Sequence, residues 1–248
     1  LNGIPIYLEA RNGNSNAMFR ITNALRNSIE LAESKGLRIK LVRSDAAASI
    51  SSVVEYLITK KIDYVIRAHG VFAKKPQGHL KWREFNDNTK HVKNVADTTI
   101  EVNNRDIRLI WYHYKFRSNR VGSKLEGQNR IFGIITSLED LSEEEIIQLY
   151  NDRGGKEQVF SYLNDLGWKY MPHRSLKYNT VYMLVTLLTY VFFIYAKRFL
   201  SRKLSFIKEN MEPRTFVKKF ISVITKWSSG RIMFCTRHLE YAPLMGFT

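Results

Sequence analysis

A single cysteine, Cys235, is all that this chain of 248 residues contains. One thiol excludes an internal disulfide and any zinc cluster built from cysteines, and it fits a reducing cytoplasm. Such a residue ordinarily serves as a small buried hydrophobe. Several catalytic signatures are also missing: His-Glu-x-x-His, the phosphate-binding Gly-rich loop and Gly-x-Ser-x-Gly. Zinc-peptidase, nucleotide-loop and serine-hydrolase readings therefore have nothing to stand on. His69, His113 and His173 are isolated in sequence and receive no chemistry. No signal peptide precedes the opening Leu1-Asn2-Gly3-Ile4-Pro5, and a chain that opens directly on a strand-like run reads as a fragment. The most apolar run, residues 181–196, is too short for a membrane span of about 20 residues and carries two threonines and three tyrosines. It is expected to be a buried helix.

Acidic residues are the minority charge. There are 23 Asp and Glu against 39 Lys and Arg, for a net charge of +16 and a pI near 9.9. That balance points to a polyanionic partner, a nucleic acid or an acidic membrane. The excess is uneven: residues 1–70 carry +4, residues 71–136 carry +7, residues 137–196 carry −3 and residues 197–248 carry +8. With 44% apolar residues, the chain can build a substantial core.

Periodicity predicts a strand over residues 4–10 and a turn at Asn12-Gly13-Asn14. A helix follows over about 16–34, with Met18, Ile21, Leu25 and Ile29 on one face and Gly36 beyond its end. A strand over 38–43, a helix over 51–60 and a strand over 63–68 complete an α/β layer with parallel neighbours. Residues 71–136 break the alternation. They hold a basic loop at Lys74-Lys75-Pro76 and strand-like runs at 98–103, 106–116 and 130–137. Trp111, Tyr112 and Tyr114 are rich in stacking surface, but alternating aromatics of this kind mostly pack the sheet. Ser142 with Glu145 forms a capping box that starts a helix. Pro213 opens a new element in the basic tail.

Residues 150–157 read Tyr-Asn-Asp-Arg-Gly-Gly-Lys-Glu. Tyr150, Arg153 and Glu157 are spaced three and four apart, which on a continuous helix places them on one face. A carboxylate there can hold a metal, and an arginine beside it can grip a phosphate in bidentate fashion. Charged residues on a helix face are also ordinary, so spacing alone decides nothing. Gly154-Gly155 costs roughly 2 kcal/mol inside a helix, so a break before Glu157 is expected. Asp45 stands just past the 38–43 strand, where ligands collect in open α/β sheets. It is equally suited to capping the segment that follows.

Tyr-x-x-Arg-Gly-x-x-Glu, with Ile134-Ile135-Thr136-Ser137 before it and Asn164-Asp165-Leu166-Gly167-Trp168 after it, resembles the signature of DDE transposases from bacterial insertion sequences. The family's following Lys is Asn164 here. Val42-Arg43-Ser44-Asp45 resembles the strand that supplies the second acidic residue of the family's triad, and Glu9-Ala10-Arg11-Asn12-Gly13-Asn14 resembles the stretch after the first. No Asp precedes Asp45, so two members of the triad are matched and the first is not.

The resemblance implies a ribonuclease-H-like α/β fold: a mixed sheet flanked by helices with an all-β insertion. Its parts would be a first core segment at 1–70, the insertion at 71–136, the rest of the core at 137–196 and a basic helical tail at 197–248. It implies a cytoplasmic enzyme acting on double-stranded DNA, as a homodimer and away from membranes. Two divalent ions, Mg2+ or Mn2+, would be held in part by Asp45 and Glu157, with Arg153 and Tyr150 on the backbone phosphate. Arg117, Arg120 and Lys124 in the insertion, and Arg198, Arg202 and Lys203 in the tail, are the expected DNA contacts. A chain lacking the first Asp would bind DNA without cutting it.

Overall fold

The computed structural model describes residues 4–73, 80–85, 92–115, 129–152, 155–218, 225–228 and 231–234. The chain divides into two compact units. One is Gly13–Gly154; the other joins Leu1–Asn12 to Gly155–Thr248.

The Gly13–Gly154 unit is built on one mixed sheet of six strands flanked by helices. Its strands are β1 (Leu41–Ser44), β2 (Asp63–Arg67), β3 (Arg83–Glu84), β4 (Val92–Glu101), β5 (Asp106–Lys115) and β6 (Asn129–Thr136), in the order β1-β2-β6-β5-β4-β3. β1 and β2 are parallel, joined through helix α2 (Ser51–Lys60). Every other pairing is antiparallel. The β-rich stretch thus continues the same sheet, with β6 against β2. Side-chain alternation sends Tyr64, Ile66, Leu109, Trp111 and Ile135 to one face, where they meet Val53, Val54 and Leu57 of α2 and Ile29 of α1 (Ile21–Ser34). Val65, Ile110, Tyr112 and Ile134 go to the other face, against Ile146, Ile147 and Tyr150 of α3 (Glu143–Asn151). Both faces are covered, so the central strands read as near-continuous apolar runs.

Gly133 sits where β6 passes closest to its neighbours. A Cβ there would lie 3.0 Å from Ala68 Cβ and 3.1 Å from Leu109 Cδ1. Trp111 and Tyr112 are packing residues, each about 5% exposed or less, and Tyr114 is half-buried beside them. Helix α3 begins at the expected capping box, with Ser142 and Glu145 reciprocally bonded. Arg83 of the short strand β3 pins the same helix end, reaching Glu143 and Glu144, with Nη2 2.7 Å from Glu144 Oε2. The Arg83 hydrogen bond is the main cause holding the Glu144 carboxyl below its usual range.

Two expectations shift. Residues 4–10 form no strand. A strand needs a neighbour to take its backbone groups, and here Tyr7 and Arg11 turn instead to Glu9. The helix expected from about residue 16 starts at Ile21, because Arg20 adopts φ 53 in the left-handed region and Asn16 Oδ1 accepts from the Met18 amide.

The second unit contains α4 (Gly155–Leu163), a π-helical turn (Asn164–Trp168), α5 (Leu176–Ser201), α6 (Pro213–Phe216) and a hairpin of β7 (Thr225–Ser228) with β8 (Arg231–Phe234). Gly167 within the π turn has φ 127, and a Cβ there would lie 2.3 Å from the Tyr182 hydroxyl. Only glycine fits that conformation.

Tyr190, Phe193, Ile194 and Leu200 of α5 pack with Leu163, Ile207 and Phe216, and Ile4 packs against the same cluster. The expected burial of α5 holds for this face only. Tyr178, Val181, Val185, Leu188, Phe192, Tyr195 and Phe199, alternately three and four apart, are exposed. By length and composition α5 could cross a membrane, but one such helix is weak support for a span. An apolar run signals burial on all sides, and it cannot say how many sides find a partner.

Candidate active site

β1 and β2 run parallel, so their carboxyl ends open on the same edge of the sheet. The last paired residues are Ser44 and Ile66. One step further stand Asp45 and Arg67, side by side in the sequence of the two strands. Asp45 is still extended, at φ −78 and ψ −171. Leu41 belongs to the α3 face and Val42 to the α2 face, and alternation therefore carries Arg43 and Asp45 to the α3 face. Arg67 lies on that face too, with its guanidinium 4.0 Å from the centre of the Phe132 ring.

The loop that carries Asp45 is fixed at several points. Asp45 Oδ1 accepts from the Ala47 amide at 3.0 Å, so Asp45 caps the 3-10 turn Ala46–Ala48. Ala48 is buried in the α2-side core. Ser49 Oγ accepts from the His69 amide at 2.9 Å and donates to the His69 carbonyl at 3.3 Å, tying the loop after β1 to the loop after β2. Asp45 is exposed and one of its carboxylate oxygens is accounted for by the cap.

Arg43 ties this edge to α3. Its Nη1 donates to the Leu149 carbonyl at 2.7 Å. Tyr150, the next residue, is 8% exposed and packs against the sheet. Burial is the main cause that pushes the Tyr112 hydroxyl well above its ordinary range. The Tyr150 hydroxyl adds to that shift and Arg67 opposes it. Tyr150 and Arg67 thus both lie near the Tyr112 hydroxyl.

Helix α3 ends at Asn151, with Asp152 as its cap, and α4 starts at Gly155. The continuous helix that would align Tyr150, Arg153 and Glu157 is interrupted, as the glycine pair predicts. Tyr150 belongs to the Gly13–Gly154 unit and Glu157 to the other. Glu157 lies on α4, but its side chain is outside the described residues, as is Arg153.

Among the expected DNA contacts, Arg117, Arg120 and Lys124 also lie outside the described residues. Arg198 is half-buried in the last turn of α5, while Arg202 and Lys203 are exposed just beyond it. Lys203 Nζ rests 4.5 Å over the Phe199 ring. Cys235 is outside the described residues as well.

Among the described residues, no group of three or more His, Cys, Asp or Glu is placed to hold a metal ion. The described part of the edge offers one hard oxygen donor, the exposed carboxylate of Asp45, which suits a hard divalent cation. Sequence reasoning missed Arg67. The signal for it is the pairing register, since only the alignment of β1 with β2 puts an arginine beside Asp45.

No curated protein matches the chain. A family model described as the transposase DDE domain matches residues 1–192, a span that includes Asp45, Arg67 and the whole of residues 150–157. With most of its length matched, and a mixed sheet flanked by helices behind the match, this chain belongs to the transposase DDE domain family.

Proposed function

We propose that Asp45, together with Tyr150, Arg153 and Glu157 of the 150–157 stretch, supplies the catalytic residues of a DNA transposase. Its reaction would be hydrolysis of a phosphodiester followed by joining of the freed end to a target strand. One observation carries this reading: the Arg43–Leu149 bond draws the end of α3, where the motif begins, to the strand that leads into Asp45. The family acts on DNA and is in general dependent on divalent metal.

Asp45 and Glu157 would be carboxylate ligands of two ions, Mg2+ or Mn2+. When bound, such ions supply Lewis-acid stabilisation to the attacking and leaving oxygens of an in-line displacement at phosphorus. Arg67 and Arg153 would orient the scissile phosphate through charge-assisted hydrogen bonds. Tyr150, largely buried, contributes by seating the last turn of α3 and so the start of the motif. Double-stranded DNA is the partner, held by Arg117, Arg120 and Lys124 and by Arg198, Arg202 and Lys203. A homodimer on DNA and a cytoplasmic setting away from membranes belong to the same reading.

A second reading has its own observation. No Asp precedes Asp45, so these residues contribute two carboxylates where the family's triad has three. A chain with two would hold DNA but leave one ion weakly bound, and it would not cut.

Mn2+ binding, followed by loss of the free-ion electron paramagnetic resonance signal, tests the shared core of both readings. Asp45→Asn and Glu157→Gln should each weaken binding by tenfold or more. Unchanged affinity in either variant removes that residue from the site. Nicking of DNA in Mn2+ by the wild-type chain, lost in both variants, selects the enzyme; binding without nicking selects the remnant.

A further inference from the structure

We infer that Arg43 is a positioning residue for the transposase centre, holding the end of α3 in register with Asp45. The inference rests on the proposed function above. The last turn of a helix runs out of intrahelical donors for its carbonyls. In α3, the Gln148 and Tyr150 carbonyls take the Asp152 amide, and the Leu149 carbonyl between them takes the Arg43 guanidinium at 2.7 Å. A cation at this helix end is also favoured by the helix dipole. The two partners are 106 residues apart in sequence.

Position gives this contact its functional weight. Arg43 lies on β1 two residues before Asp45, which follows the strand in extended conformation toward the same face, and Leu149 is one residue before Tyr150. The Ala47 cap and the Ser49–His69 bonds already fix the Asp45 loop. Beyond the Asp152 cap of α3, the next described helix of the motif is α4, from Gly155. The end of α3 is where the motif begins, and Arg43 holds it. A guanidinium spans the gap from strand to helix with a fixed plane and several donors, whereas a lysine offers a mobile point charge. Arg43 touches no reacting atom in this scheme. It acts through the placement of residues 149–152 relative to Asp45.

Fe2+ with ascorbate and peroxide, used in place of Mg2+ on the 248-residue chain, tests this. Hydroxyl radicals made at a bound ion cut the backbone segments nearest to it. In the wild type, cuts are expected both near residue 45 and at residues 149–152. Arg43→Met should lower cutting at 149–152 at least fivefold while cutting near 45 persists, and Arg43→Lys should fall between. If Arg43→Met does not fold, the comparison of Arg43→Lys with wild type decides, and a twofold or greater loss at 149–152 is required. An unchanged ratio of the two cuts in the variants overturns the role of Arg43 and leaves the site standing. Wild-type cutting near 45 alone also overturns it, because the end of α3 would then lie away from the ion. Absence of both cuts in the wild type overturns the proposed centre and this role with it.

Discussion

Among the described residues, Lys197 is a charged residue that is buried. It is 8% exposed, its Nζ donates to the Met211 carbonyl at 3.1 Å, and it sits 4.8 Å over the Phe193 ring. Burial first, and Arg198 second, push its pKa down, with Glu209 opposing them. For a base with a lowered folded pKa, the unfolded chain binds the proton more tightly, so stability rises with pH between the folded value and about 10.5. Lys197→Met should therefore flatten the rise in melting temperature between pH 8 and 10 relative to wild type. Parallel pH profiles for the two proteins would refute this. The same scale shows what the sequence could and could not disclose. Asp45 was readable both as a cap and as a ligand, and the capping half is visible in its bond to Ala47. Arg67 was unreadable, because an arginine at the end of a strand looks like any solvated charge until β1 and β2 are aligned.

Among the elements, α3 and α5 make the contrast. The start of α3 was legible from Ser142 and Glu145, and its end from the glycine pair, because caps and breakers act within a few residues. The strand expected at residues 4–10 failed for the opposite reason: a strand depends on a neighbour that its own residues do not encode. Helix α5 was legible as a helix but not in its surroundings. Phe193 is 4% exposed and meets Phe216 edge-on at 5.3 Å, while Phe192 beside it is 70% exposed. Phe193→Ala should cost about 3–5 kcal/mol of stability. Phe192→Ser should change it by no more than about 0.5 kcal/mol. Denaturant unfolding of both variants separates the two faces, and equal losses would show that the outer face is covered in solution.

For the whole molecule the dominant quantity is charge. The net charge of +16 is carried by the residues around the acidic stretch that holds the motif. DNA affinity should fall steeply with salt, because each phosphate neutralised releases counterions. Titrating DNA at 50 and 200 mM salt is expected to show a loss of about a thousandfold or more if six or more phosphates are contacted. Salt-independent binding would rule out the basic segments as the contact surface.

The division into units also has a consequence for synthesis. Residues 1–12 and 155–248 form one unit while 13–154 form the other, so the second is threaded as an insert into the first. Ile4 packs with a cluster drawn from Leu163, Tyr190 and Phe216. On a ribosome, residues 1–12 must wait for that cluster to emerge, roughly ten to forty seconds at ordinary elongation rates. The insert can meanwhile complete its sheet. The order of folding is therefore set inside-out: the middle of the chain first, and its two ends together last.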